Sequence, residues 1–226
     1  VNKPAPKEKI APANEARQII TVQKSRFIAS AAPSSSVEEA RSFIARIRHE
    51  FPDASHNVTA FIIGFGNSTI THSSDAGEPA GTAGRPILSI LMGSGLGNIS
   101  VVVTRYFGGI KLGTGGLVHA YSDAVRAVLR VLPLVQLVTV QQAWISVPYA
   151  SYERLKTLLQ EYQAVPLESS FSTDVLVSAR FPVEILDNFT KNLLENTNGQ
   201  ATVIPGEIIE AAVPYNRKTL LSEQPG

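Results

Sequence analysis

The 226-residue chain carries 20 Lys+Arg against 19 Asp+Glu, a net charge of +1, with 44% hydrophobic and 17% charged residues. That balance supports a buried core and excludes a disordered chain. The lack of cysteine excludes disulfides, thiolate metal sites and cysteine nucleophiles, and suits a reducing compartment.

Residues 1–16 are polar and proline-rich and are expected to be flexible. They contain no apolar signal core, and no later stretch approaches 18 uninterrupted apolar residues, so a cytoplasmic protein with no membrane partner is expected. RQIITVQKSRFIA (17–29) reads as a strand. SVEE (36–39) is a capping box, and Val37, Ala40, Phe43, Ile44 and Ile47 follow helical spacing up to Pro52. NVTAFIIGF (57–65) reads as a buried strand, followed by a loop from Gly66 to Gly84. Pro86 suits the first turn of a short helix, ISVVVTRY (99–106) is another buried strand, and a helix is expected over 114–131.

The second half predicts a strand over 138–147, a helix over 149–162 and paired strands at 166–172 and 174–181. A helix over 182–196 and a strand over 201–209 follow. That order, β-α-β-β-α-β, is the ferredoxin-like split βαβ. The chain therefore reads as a two-domain α+β protein, with an N-terminal α/β domain at 17–132, a ferredoxin-like domain at 136–212 and a tail at 213–226. Charge divides the same way: residues 1–133 hold 14 basic and 9 acidic groups, residues 134–212 hold 4 and 9. The first domain is thus the one expected to meet anions.

Five of the twelve residues in RYFGGIKLGTGG (105–116) are glycine. The stretch is not a Walker A loop, since Thr114-Gly115 follow Gly113 where Lys-Ser/Thr is required, and Val118 replaces the third glycine of a dinucleotide fingerprint. A helix start rich in glycine can still present amides to an anion. Arg105 and Lys111 add charge, and Tyr106 and Phe107 could stack on a base. The alternative is structural: Gly108 and Gly109 form a turn, Gly115 and Gly116 permit close packing. A second such loop, DAGEPAGTAGRP (75–86), offers Asp75, Glu78, Thr82 and Arg85. Its carboxylates read equally as turn or helix caps. His56 and His72 flank it without metal-ligand spacing, and no G-x-S-x-G elbow appears. No metal and no cofactor are expected.

GEPAGTAGRPIL (77–88) followed by VVVTRYFGGIKLGTGGLVHAYSDA (101–124) closely resembles the signature of the IMPACT family, and VQKSRFIA (22–29) and the histidine of SHNVTAF (55–61) look like its N-terminal elements. The match covers roughly 18–131. It implies an N-terminal domain like the second domain of a small-subunit ribosomal protein, a fold shared with translation elongation factor G, and a ferredoxin-like C-terminal domain. It also implies regulation of translation through protein contact, as in members that compete for the activator of a stress kinase, and nucleic-acid or ribosome binding by analogy of fold. Two positions depart from the family pattern. Ser74-Asp75-Ala76 stand where two acidic residues are common, and Asn57-Val58 follow His56 where Asn-Cys is common.

The leading expectation is a non-catalytic, translation-associated binding protein. The two glycine loops contact RNA, the ribosome or a protein partner: Arg105 and Lys111 pair with phosphate, the loop of Gly108, Gly109, Gly113, Gly115 and Gly116 supplies amides, Thr82 and Arg85 flank it, Tyr106 stacks, and Glu78 orients Arg105 or a loop amide. The acidic second domain is expected to contact protein. The competing expectation is an enzyme on a phosphorylated small molecule, with His56, Asp75 or Glu78 as acid or base.

Overall fold

The computed structural model describes residues 8–66 and 68–215. It divides into two compact units, one containing residues up to Gln136 and from Pro214 onward, the other Leu137–Val213.

The first unit contains β1 (Lys9–Pro12), β2 (Ala16–Val22), β3 (Ser25–Pro33), α1 (Val37–Glu50), β4 (His56–Ile63), β5 (Ile70–Ser74), α2 (Gly84–Gly93), β6 (Ile99–Tyr106) and α3 (Gly113–Val131). Its main sheet has the order β2-β3-β6-β4-β5, with antiparallel neighbours throughout. Helix α1 covers one face, setting Phe43, Ile44 and Ile47 against Phe61, Ile63 and Val102. Helices α2 and α3 cover the other, where Ile87, Leu91, Tyr121 and Val125 meet Phe27, Ala29, Val101 and Val103. Burial on both faces explains why β6 is a continuous apolar run rather than an alternating one. Each fully buried large side chain contributes on the order of 1.5–3 kcal/mol.

The local reasons are readable. The Ser36 hydroxyl accepts from the Glu39 amide at 3.1 Å and caps α1, while the Glu39 carboxylate reaches back to the Ser35 amide at 2.7 Å, one residue earlier than a capping box requires. Helix α2 has no cap from its own N-cap residue, Ala83. Asp75 supplies it from the preceding loop, accepting from the amides of Ala83 (3.0 Å) and Gly84 (2.8 Å) on one oxygen and Gly81 (2.8 Å) on the other.

Three expectations change in this unit. The strand expected over 17–29 is a hairpin, because Gln23 (φ 43°) and Lys24 (φ 65°) form a two-residue turn with left-handed backbone at both positions. The loop expected from Gly66 to Gly84 contains the edge strand β5. The segment expected to be flexible over 1–16 contains β1, whose Ile10 and Ala11 are buried; residues 1–7 lie outside the described residues.

The second unit takes its strands from β7 (Leu134–Val147), β8 (Val165–Phe171), β9 (Val175–Pro182) and β10 (Thr202–Pro214), and its helices from α4 (Tyr152–Glu161) and α5 (Leu186–Asn196). The strand order β10-β7-β9-β8 is the ferredoxin-like arrangement. Leu155, Leu158, Phe189 and Leu193 pack on Ala143, Ile145, Val177, Ala179 and Phe181. Helix α5 begins at Leu186, later than the expected 182, because Pro182–Ile185 forms a turn closed by the Ile185 amide on the Pro182 carbonyl. β10 runs beyond the expected 209, and Tyr215 donates its amide to the Leu134 carbonyl, so residues 213–215 of the expected tail are paired. Residues 216–226 lie outside the described residues.

Candidate functional site

Register places three residues side by side at one end of the main sheet. Arg105 on β6 stands opposite Phe27 on β3 and His56 on β4. All three have the parity of the apolar residues under α2 and α3, so the guanidinium points into that layer, where it is 5% exposed. A buried guanidinium requires a paired carboxylate. The 75–86 loop delivers Glu78, whose Oε1 accepts from Arg105 Nη1 at 2.7 Å and from the Tyr121 hydroxyl at 2.7 Å. Its Oε2 lies 3.8 Å from His56 Nε2.

The surroundings hold this group in place. His56 Nδ1 is 3.0 Å from the Ala76 carbonyl, an acceptor only, so that bond puts a proton on Nδ1. Burial above all, reinforced by the hydrogen bond to Glu78, pushes the Tyr121 phenol far up and keeps it a donor. The Tyr121 ring meets Phe27 edge-on with centroids 5.2 Å apart. The Arg105 guanidinium lies 5.5 Å from the Phe27 ring centre and 5.6 Å from that of Phe107. Ser25 accepts from Arg105 Nη2 at 3.4 Å and from the Gly108 amide at 3.2 Å, which ties the glycine loop to the cluster. Arg105 Nε is buried with no partner.

The candidate residues therefore separate. Of the two roles expected for Glu78, the structure has it bonded to Arg105 rather than to a loop amide, but Arg105 does not face solvent: Glu78, Ser25 and two aromatic rings enclose it. Asp75 is the cap of α2, which is the structural alternative named for it. Its burial opposes ionisation, and the three amide bonds outweigh that and hold the carboxyl below the usual aspartate value. Thr82 is buried and donates to the Pro79 carbonyl at 2.7 Å, fixing the loop turn. Tyr106 turns to the α1 face, where its hydroxyl donates to Asp53 at 2.7 Å and Arg26 covers its ring at 4.5 Å, so the ring expected to stack on a base already carries a cation. His72 lies on β5, stacked on Phe61 and away from His56. Arg85 is exposed at the start of α2. Among the described residues, no group of three His, Asp or Glu side chains is placed to hold a metal.

Lys111 remains exposed in the glycine loop, together with Phe107 and Ile110. Gly108 is there because a Cβ would lie 2.0 Å from the Lys24 carbonyl carbon; Gly109 and Gly113 have left-handed φ. A Cβ on Gly116 would meet Leu112 at 3.1 Å. Gly115 differs. Its φ is ordinary and, among the described residues, an added Cβ would meet nothing within 4 Å, so neither conformation nor packing against them requires glycine there. Helix α3 starts at this point with no side-chain cap and no acidic residue in its first turn. Tyr121 and Ser25 are the members of the cluster that sequence reasoning did not select. The signal for Tyr121 is a phenol on the buried face of a helix, which demands a polar partner.

The fold and site together define a two-unit α+β protein in which a buried ion-paired cluster secures a glycine-rich loop at the start of a long helix. Residues 23–129 match the Impact N-terminal domain, and residues 145–200 match a domain of unknown function, DUF1949. IMPACT family member YigZ of Escherichia coli (strain K12) is 36% identical over 196 residues, covering 86% of this chain and 96% of that protein. IMPACT family member YvyE of Bacillus subtilis (strain 168) is 35% identical over 202 residues, covering 88% and 93%. A solved structure titled "Crystal structure of an hypothetical protein" is 35% identical, with a TM-score of 0.59 over 89% of this chain and 98% of the other. The chain belongs to the IMPACT family. Membership supports, at the level of the family, a regulatory role connected with translation. Among the described residues no helix is long and apolar enough to cross a membrane.

Proposed function

We propose that this protein is a translation-associated regulatory binding protein, whose first unit contacts phosphates of RNA or of the ribosome at the start of α3. The observation that carries this reading is Gly115. Glycine in a helix is less stable than alanine by up to about 1 kcal/mol. Among the described residues nothing calls for that cost, whereas an anion resting on the uncapped amides of the first turn does. A helix start presents roughly half a positive charge, and Lys111 stands beside it, exposed and with no ion pair among the described residues. Arg105 supports the loop from within rather than touching the ligand. Glu78 has Arg105, Tyr121 and His56 around it, which favours a structural cluster over an acid–base pair.

The test is binding of structured RNA across a salt series. Wild type is expected to bind at micromolar affinity or better and to weaken with salt, and Lys111→Ala to reduce the salt slope by about one. Gly115→Ala is expected to melt at the same temperature or higher and to bind more weakly, since a methyl group then stands between the amides and the phosphate. Wild type that does not bind, or Gly115→Ala that binds as well as wild type, refutes the assignment.

A further inference from the structure

The opposite face of the same sheet carries a groove that the α3 site does not use. It encloses about 300 Å³ between α1 and the β4–β5 edge of the sheet. One wall is the α1 stripe Arg41, Ala45 and Arg48. The two arginines are seven residues apart, about 10.5 Å along the helix axis, with the small side chain of Ala45 between them. The floor is formed by two directly opposed pairs, Thr59 with Ser74 and Phe61 with His72. The His72 imidazole lies over the Phe61 ring, centroids 5.2 Å apart and planes 28° from parallel, and stays exposed.

The charges of this helix are sorted. Arg46 pairs with Glu15, Glu39 binds Ser35, and Glu50 is held by Arg17. Arg41 and Arg48 make no ion pair or hydrogen bond among the described residues, although both line the groove. The concavity thus offers two unspent guanidinium groups, a flat ring platform and hydroxyls on its floor. Guanidinium groups match phosphate oxygens in a planar fork. A base stacks on an aromatic or imidazole face. The volume is at the lower end of the range for small-molecule sites, about 300–1,000 Å³, which suits one nucleotide.

We infer that this groove binds a nucleotide, with Arg41 and Arg48 on its phosphate and His72 under its base. The nucleotide is either free in solution or one unit of an RNA strand. The inference is independent of the α3 site, which lies across the sheet.

The test is isothermal titration with AMP, adenosine and inorganic phosphate, beside binding of a short fluorescein-labelled oligo(A) RNA. AMP is expected to bind at least about ten-fold more tightly than adenosine or phosphate, because both halves of the site contribute. Arg41→Ala and Arg48→Ala are each expected to weaken AMP roughly ten-fold. His72→Ala is expected to weaken AMP about five-fold and to leave phosphate unchanged. Arg126→Ala, an exposed charge on α3, controls for net charge. All these side chains are exposed, and unchanged melting of each variant confirms that the fold persists. Oligo(A) bound more tightly than AMP and lost with the same variants identifies an RNA strand as the source; AMP bound more tightly identifies a free nucleotide. The inference is overturned if neither probe binds with a Kd below about 5 mM, or if the Arg41→Ala/Arg48→Ala double variant binds both as wild type does.

Discussion

Glu78→Gln is the sharpest test of how the glycine loop is held. The substitution keeps the shape of the side chain and an oxygen that can accept from Arg105 and Tyr121, and removes only the charge. Arg105 would then sit 5% exposed with no counter-ion, and its Nε already has no partner. Breaking a buried ion pair from one side costs about 3–5 kcal/mol, because the remaining charge stays desolvated. For a domain of this size that lowers the melting temperature by roughly 6–20 °C. Arg105→Met is expected to cost a similar amount, leaving the carboxylate facing Tyr121 and His56. The Glu78→Gln/Arg105→Met double variant replaces both charges and should cost much less than the sum, with a coupling of about 3 kcal/mol in the favourable direction. The assay is urea unfolding followed by far-ultraviolet circular dichroism and tyrosine signals, since the single tryptophan, Trp144, belongs to the second unit. Loss below about 1 kcal/mol in Glu78→Gln, or strict additivity in the double variant, would refute the claim that this pair secures the loop.

Other outcomes follow from single contacts. Gly108→Ala is expected to destabilise the first unit by about 3 kcal/mol, the upper end for overpacking, since its Cβ would lie 2.0 Å from the Lys24 backbone; a chemical melt within 0.5 kcal/mol of wild type would show that the loop root can shift freely. Asp75 has a folded pKa below its ordinary value of 3.8, so the stability it contributes is present above that value and is lost as pH falls through the lower folded pKa. Asp75→Asn should therefore be less stable than wild type at pH 6, with a gap that narrows below pH of about 4. A gap that stays constant over an acid titration of unfolding midpoints would exclude the capping account.

How much was legible in the sequence depended on whether the local signal matched the local cause. Helix α1 declared itself through Ser36 and Glu39, and the βαββαβ order through regular spacing. The turn at Gln23-Lys24 was hidden because left-handed backbone there carries neither glycine nor asparagine. β5, ITHSS, was hidden because an exposed edge strand needs no apolar run. The burial of Arg105 is hidden for a related reason. In ISVVVTRY both faces are buried, so alternation could not show that Arg105 shares the parity of Val101 and Val103. Sequence offers Glu78 as a partner for Arg105 or for a loop amide, but the depth of the pair depends on Tyr121 and Ser25, which are distant in sequence. The groove residues Arg41, Arg48 and His72 carried no motif; only the register of β4 with β5 and the position of α1 bring them together.

The buried cluster also bears on the order in which the chain folds. Its hydrogen bonds span 27 residues from Arg105 to Glu78, 43 from Tyr121 to Glu78 and 80 from Arg105 to Ser25. Loop closures of that length are paid for late, after hairpins and helices exist. The cluster therefore acts as a latch that engages when the sheet, the 75–86 loop and α3 are all in place. Substitutions in it are then expected to speed unfolding more than they slow folding, which the unfolding and refolding rates of Glu78→Gln would check.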